Sequence, residues 1–286
     1  MKMRVLVFLL LAFTLCIISS CKNECDNVLC QNGGNCVDGI CDCPDGFSGI
    51  NCEIEDLCIT QNVICENGGL CNEGICDCPE AFVGVNCENL NPAKVQEFLD
   101  AGIHPKTLFD NGIELENIYG KRYKGGLIFF LNISDGTGLV AAEEDQSSAA
   151  EWGCMEEFIP SINYVFSSPP AIGPEIFPGS RLGDGNENTD IILAAMCRNS
   201  SGTDVFAAKL CRDKGEEWFL PSRGELQLIY KNLHQRGHGN FSGNAYWSST
   251  VSDIYRAWFL NFDDGVHRTI HRDFSFVYVR AARAFN

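Results

Sequence analysis

Twelve cysteines, set as two blocks of six near the N-terminus, constrain this 286-residue chain more than any other feature. The first block is Cys25, Cys30, Cys36, Cys41, Cys43 and Cys52, and the second is Cys58, Cys65, Cys71, Cys76, Cys78 and Cys87. From its second cysteine on, each block has the spacing C-x5-C-x4-C-x-C-x8-C. Between the cysteines of the first block lie few core-forming residues: Val28, Leu29, Val37, Ile40, Phe47 and Ile50. A unit this small cannot bury enough apolar surface to offset its chain entropy, and disulfides supply the difference by restricting the unfolded chain. Disulfides persist only in an oxidising compartment, so the chain is expected to work outside the cytoplasm.

Ahead of the cysteines stands a secretion signal. Lys2 and Arg4 give it a positive start, and residues 5–18 are an apolar run of fourteen. That is short of the roughly 20 residues a membrane span needs. The run ends in Ile18-Ser19-Ser20-Cys21, and small residues before a cysteine resemble the bacterial lipobox. The resemblance implies a signal peptide over residues 1–20, lipidation of Cys21 and a lipidated tether over residues 21–24. Several acyl chains hold a protein on a membrane far better than one. The short polar stretch after Cys21 is similar to the tether of lipoproteins exported to the cell surface in Bacteroidota-type bacteria. The expected location is therefore the outer membrane, on the cell surface or on its periplasmic face. An ordinary signal peptide with an incidental cysteine is the alternative.

The net charge of −17 excludes general nucleic-acid binding. It is unevenly placed, because residues 25–88 hold twelve Asp or Glu and no Lys or Arg. Both cysteine blocks carry Asn-Gly-Gly, at Asn32-Gly33-Gly34 and Asn67-Gly68-Gly69, a turn signal because glycine accepts positive φ. Residues 41–53, Cys-Asp-Cys-Pro-Asp-Gly-Phe-Ser-Gly-Ile-Asn-Cys-Glu, match the closing segment of EGF-like domains, and residues 76–88 repeat it. The blocks thus resemble two EGF-like modules, over residues 25–53 and 54–88. The pairing that the resemblance implies is Cys25–Cys36, Cys30–Cys41, Cys43–Cys52, Cys58–Cys71, Cys65–Cys76 and Cys78–Cys87. Some EGF-like modules bind calcium ahead of the first cysteine. Here Asn23-Glu24 and Glu55-Asp56 supply oxygen ligands at incomplete spacing, and a solvated acidic stalk is the plainer reading.

Residues 89–122 read as a helical connector opening at Asn91-Pro92, with helical spacing from Ala93 to Leu99. From residue 123 the pattern is α+β. Strands are expected over 127–132, 138–142, 245–250, 257–262, 265–270 and 277–284, and helices over 189–197 and 205–214. The clearest helix runs over 222–233, where Ser222 and Glu225 make a capping box. Distinct words stand along residues 123–286: Gly125-Gly126-Leu-Ile-Phe-Phe-Leu, Glu151-Trp152-Gly153-Cys154, Trp218-Phe-Leu-Pro-Ser222, Tyr246-Trp247-Ser248-Ser249 and Tyr278-Val279-Arg280-Ala281. Together they resemble the C-terminal domain of bacterial collagen-like adhesins. They are also similar to surface domains of the C-type-lectin-like and formylglycine-generating-enzyme-like group. The resemblance implies an α+β, C-type-lectin-like domain that mediates extracellular attachment, in some members through sulfated glycans.

Trp152, Trp218, Trp247 and Trp258 are expected in the core. Ser248 and Ser249 lack a nucleophile elbow. Cys154, Cys197 and Cys211 leave one thiol spare, with Cys154–Cys197 and Cys197–Cys211 both open. The candidate ligand residues are Arg256, His267, Arg268, His271 and Arg272, since guanidinium groups match sulfate and carboxylate bidentately. On a strand over 265–272, Arg268 and Arg272 would share a face. Arg280 and Arg283 read equally as internal ion-pair residues. Asp184, Asn186, Asn188 and Asp190 alternate oxygens as calcium loops do, or cap a helix from Thr189. No other cofactor is indicated.

The expected function is adhesion or ligand binding at the cell surface, with a glycan or a surface protein of a host or neighbouring cell as partner. A displayed enzyme is the alternative, with carboxylates to be sought among Glu143, Glu144, Asp145 and Glu225, although no catalytic constellation stands out. A structural subunit of a surface assembly is the third reading. An exposed Arg face favours the first, a preformed acidic pair the second and an exposed apolar patch the third.

Overall fold

The structure is a computed structural model that describes residues 24–166 and 179–286. The expected signal peptide over residues 1–20 and the expected lipidation residue Cys21 lie outside the described residues. The chain divides into two compact units, one ending at Leu90 and the other spanning Asn91–Asn286.

The first unit contains two disulfide-rich β modules, compatible with the EGF-like type. Strand β1 (Asn35–Val37) pairs antiparallel with β2 (Ile40–Asp42), and β3 (Phe47–Ser48) with β4 (Ile54–Glu55). A one-turn helix α1 (Leu57–Thr60) follows, capped by Asp56. The second module repeats the plan with β5 (Leu70–Asn72), β6 (Ile75–Asp77), β7 (Phe82–Val83) and β8 (Asn89–Leu90). Six disulfides join the cysteines in the pairing that the resemblance implies.

Disulfide sulfur stands in for a core here. The only buried hydrophobic residues between 24 and 90 are Cys41, Cys52, Cys76 and Cys87. The Asn-Gly-Gly motif follows from that economy. Its asparagine donates from Nδ2 to the carbonyl of the last cysteine, Asn32 to Cys52 at 2.9 Å and Asn67 to Cys87 at 2.8 Å. Its second glycine packs on that cysteine, so a Cβ at Gly34 or Gly69 would come within 2.6 Å of Sγ of Cys52 or Cys87.

The second unit opens with the segment read as a connector. Helices α2 (Val95–Asp100), α3 (Pro105–Asp110) and α4 (Leu115–Ile118) bury Val95, Leu99, Leu108 and Ile118. Gln96 exchanges two hydrogen bonds with the backbone of Arg122. These helices are therefore a layer of the second unit, because their apolar positions find a core to cover.

Two five-stranded sheets follow. In chain order their strands are β9 (Arg122–Tyr123), β10 (Gly126–Leu131), β11 (Gly138–Ala141), β12 (Ser147–Ala150), β13 (Trp218–Phe219), β14 (Ala245–Val251), β15 (Arg256–Asn261), β16 (Val266–His271), β17 (Val277–Val279) and β18 (Ala282–Phe285). One sheet has the order β13-β18-β11-β10-β9 and the other β12-β17-β14-β15-β16. Helices α5 (Asp184–Ala194), α6 (Ala207–Asp213) and α7 (Arg223–Asn232) complete the unit. It is thus a mixed α/β domain.

Both sheets feed one core. Leu127, Phe129, Leu139 and Phe219 of the first sheet and Tyr246, Leu260 of the second close on Leu226 and Ile229 of α7. Helix α7 starts where its capping box predicts, with the Ser222 and Glu225 side chains each bonded to the other's backbone N–H.

Two expectations need correction. The helix expected from Thr189 begins at Asp184, with Gly183 in left-handed geometry before it. The strand expected over 277–284 is two strands in different sheets. β17 runs parallel to β14, while β18 pairs with β11 and β13. Arg280 sits at the break and is buried. It bonds Asp145 at 2.7 Å and the carbonyls of Ala142, Glu143 and Gly239, so one side chain fixes the crossing between the sheets.

Candidate functional site

Arg272, expected on an exposed face, is fully buried just past the end of β16. Its Nη1 donates to the carbonyls of Cys154 at 2.9 Å and Glu157 at 3.2 Å, and its Nη2 donates to that of Asp253. The guanidinium lies over the Trp152 ring, 4.9 Å from its centroid. A cation this deep must spend its donors on acceptors, and these come from two loops. Arg272 is therefore a clamp rather than a ligand residue.

Other bonds draw the same loops together. Trp152 N donates to Arg272 O at 2.8 Å, Arg272 N to Tyr255 O at 2.9 Å and Glu156 N to Ile254 O at 3.1 Å. Val165 N donates to Val251 O at 2.8 Å, and Ile159 N to the Tyr164 hydroxyl at 2.9 Å. The Cys154–Cys197 disulfide ties the first loop to the segment after α5. Of the two pairings open from sequence, the structure adopts this one and leaves Cys211 as a buried free thiol. Burial pushes that thiol's pKa up, so it carries no nucleophile character.

Aromatic side chains crown these clamped loops. Phe158 stacks on Tyr164 at 5.6 Å between centroids, and Tyr164 on Phe166 at 6.2 Å, with planes tilted by 15° and 19°. Phe274 and Phe276 meet edge to face at 5.7 Å. Phe158, Phe166 and Phe276 are 70, 77 and 74 % exposed, and Tyr255 is exposed too. A folded domain does not spend large aromatics on water without reason when they cluster. Arg256 and His271 face each other across β15 and β16, both exposed, and neither is taken up in an ion pair among the described residues. The loops thus carry exposed ring faces, and the neighbouring strands an exposed Arg256 and His271.

The rest of the expected basic arm does not join them. Arg268 is exposed but paired with Asp264 of its own hairpin at 2.8 Å. His267 turns inward, with both ring nitrogens buried, and burial drives its pKa down to about 3. The shared face expected for Arg268 and Arg272 fails because β16 ends at His271 and Arg272 turns into the loops. Arg280 is an internal ion-pair residue with Asp145, whereas the part-buried Arg283 pairs with the exposed Glu217.

The candidate calcium residues lie on a helix, which sends them apart. Asp184 accepts from Arg181 N, and Asn188 is buried between the Gly179 carbonyl and Ser249 Oγ. Asn186 and Asp190 both accept from Arg212. Among the described residues no group of three or more His, Cys, Asp or Glu is placed to hold a metal ion. The carboxylates considered for catalysis are likewise dispersed. Glu143 pairs with Arg122, Asp145 with Arg280, and Glu225 is buried at the head of α7. All four tryptophans are buried, and three donate from Nε1 to backbone carbonyls. Ser248 and Ser249 are buried beside them.

A cleft of about 390 Å³ opens between α5 and α6, lined by Leu193, Met196, Phe206, Arg198, Lys209 and Arg212. Its cations are already matched, Arg198 with Asp204, Lys209 with Asp213 and Arg212 with Asp190. It therefore offers an anion less than the open Arg256–His271 pair does.

The exposed phenylalanines escape a sequence reading because they sit between elements, outside any period of 2 or 3.6. Their signal is the reverse of a core signal: aromatic residues such as Phe274-Ser275-Phe276 with no regular pattern around them. No helix among the described residues is long and apolar enough to cross a membrane. No protein-family model matches the chain, and no curated protein matches it.

Proposed function

We propose that the chain is a lipid-anchored surface protein whose second unit binds a glycan through the aromatic and cationic surface of the Arg272-clamped loops. The two disulfide modules are read as EGF-like and serve as an acidic stalk, with Cys21 as the anchor. The second unit is read as a C-type-lectin-like domain of the adhesin type. The outer membrane is the proposed location, with the binding unit on the cell surface.

One observation carries the reading: Phe158, Phe166 and Phe276 stand exposed around loops that are rigidly fastened below. Sugar rings present C–H faces that pack on aromatic rings, and rigid aromatic platforms lose little entropy on binding. Arg256 and His271 beside them suit a sulfated or carboxylated sugar, since guanidinium pairs such groups bidentately. The chain's overall negative charge opposes anions at long range, so binding must rest on these local groups.

A glycan array probed with the protein lacking its signal segment, at low and moderate salt, tests the reading. Sulfated or uronic-acid glycans should bind, more weakly at higher salt. Arg256→Ala/His271→Ala should bind at least tenfold more weakly. Absence of binding to any glycan at either salt would overturn it. The same aromatic cluster would then support the second reading, a protein partner in a surface assembly.

A further inference from the structure

Apart from the surface just described, the second unit buries a positive charge that no carboxylate among the described residues neutralises. Arg223, the first residue of α7, is 1 % exposed. Its backbone N–H is spoken for, donating to Thr250 Oγ1 at 3.1 Å. Its side chain is different. Nε and Nη1 are buried without a hydrogen-bond partner, and no carboxylate pairs with the guanidinium among the described residues. One face of the guanidinium lies on Trp258, 4.1 Å from the ring centroid. That stacking offsets part of the desolvation cost and leaves the N–H groups of Nε and Nη1 without an acceptor.

His267 belongs to the same cluster. In the β15–β16 pairing, Leu260 stands opposite His267 and Trp258 opposite Thr269, so His267 shares the inward face with Trp258. Both ring nitrogens are buried and make no hydrogen bond of proper geometry, although the Phe259 carbonyl is near enough to favour protonation. The Arg223 charge acts on this ring and disfavours its protonated form. His267 thus shares the inward face with the tryptophan on which the Arg223 guanidinium stacks, and Nε and Nη1 of Arg223 carry idle donors.

Buried polar groups without partners are rare, and a buried ion without a counter-ion is rarer. A trapped water would satisfy N–H groups but leave the charge standing. An anion does both. We propose that Arg223 and His267 hold one small inorganic anion of halide size inside the second unit. Trp258 forms one wall of the site. Arg223 is 1 % exposed, so the role is structural: the anion locks the start of α7 against β15 and β16. This inference does not depend on the glycan-binding reading.

Crystals of the full protein grown in sodium bromide, measured at the bromine absorption edge, test it directly. The expected result is an anomalous peak in contact with Arg223 Nε or Nη1. A map with only water there, or with Arg223 bonded directly to His267, would overturn the proposal. In solution, the wild-type melting temperature should rise saturably with chloride and not with gluconate at equal ionic strength. The rise should vanish in Arg223→Met, or in His267→Phe if the first variant does not fold. An equal chloride effect in a folded variant would also count against the site.

Discussion

Arg272 and Glu225 show how single buried charges decide the local structure. Truncating Arg272 strands the carbonyl of Cys154 in a buried site and removes the donor from the part-buried bonds at Glu157 and Asp253. Arg272→Ala should therefore cost about 3 kcal/mol in urea unfolding, as buried acceptors left unmade typically cost ~1–3 kcal/mol each with partial relaxation. A loss under 0.5 kcal/mol would contradict the clamp. Glu225 accepts N–H bonds from Ser222 at 2.7 Å and Gly183 at 2.9 Å, which favour its charged form, but complete burial outweighs them and pushes its pKa up to about 7. The folded protein then holds this proton more tightly than the unfolded chain. Its contribution is whole below about pH 4.5 and is lost as pH rises through about 7. By ~1.4 kcal/mol per unit that loss is about 3 kcal/mol. Unfolding free energies from pH 4 to 8 should fall with pH by that order relative to Glu225→Gln, which has no proton to lose. Parallel curves would refute it. From sequence, Ser222 and Glu225 were legible as a cap because a capping box is a local pattern. Arg272 was not, since nothing local separates a guanidinium that fills a loop junction from one that meets solvent.

Among the elements, the disulfide blocks and the start of α7 were readable, while the start of α5 and the sheet assignments were not. Local spacing predicts strands over 245–250, 257–262 and 265–270, and β14, β15 and β16 stand there. The run over 277–284 looks like one strand because its apolar alternation continues through Arg280. Only the tertiary structure places β17 and β18 in separate sheets, and β12 and β13 are strands that pairing alone defines. The Cys154–Cys197 bond was one of two options in sequence, and it closes a loop with a sequence separation of 43 residues. By loop entropy its removal in Cys154→Ser/Cys197→Ser should cost about 4 kcal/mol, and a denaturation midpoint unchanged from wild type would contradict that role. Cys211 lies on α6 with its thiol buried and its pKa raised. Iodoacetamide at pH 8 should leave it unmodified in the native protein and alkylate it fully in denaturant, read by mass spectrometry. Prompt native labelling would mean that α6 opens.

The whole molecule joins two units stabilised in different ways. Among the described residues the first has cysteines as its only buried apolar side chains, and the second has a core fed by both sheets and α7. Reduction should thus abolish amide-exchange protection up to Leu90 while the core strands from β10 to β18 keep theirs, since only one disulfide lies in the second unit. Sequence made that division plain through cysteine spacing and charge. It did not reveal the proposed surface, because the Phe158–Tyr164–Phe166 stack and the Phe274–Phe276 pair form in loops that are fixed by long-range contacts such as those of Arg272. The claim that these loops bind a glycan is tested most directly by a hydrogen-exchange footprint with heparin-derived oligosaccharides. The account predicts added protection confined to residues 153–166, 253–256 and 271–276, and its loss in Phe158→Ala/Phe276→Ala. Protection elsewhere in the second unit, or none at saturating oligosaccharide, would contradict it.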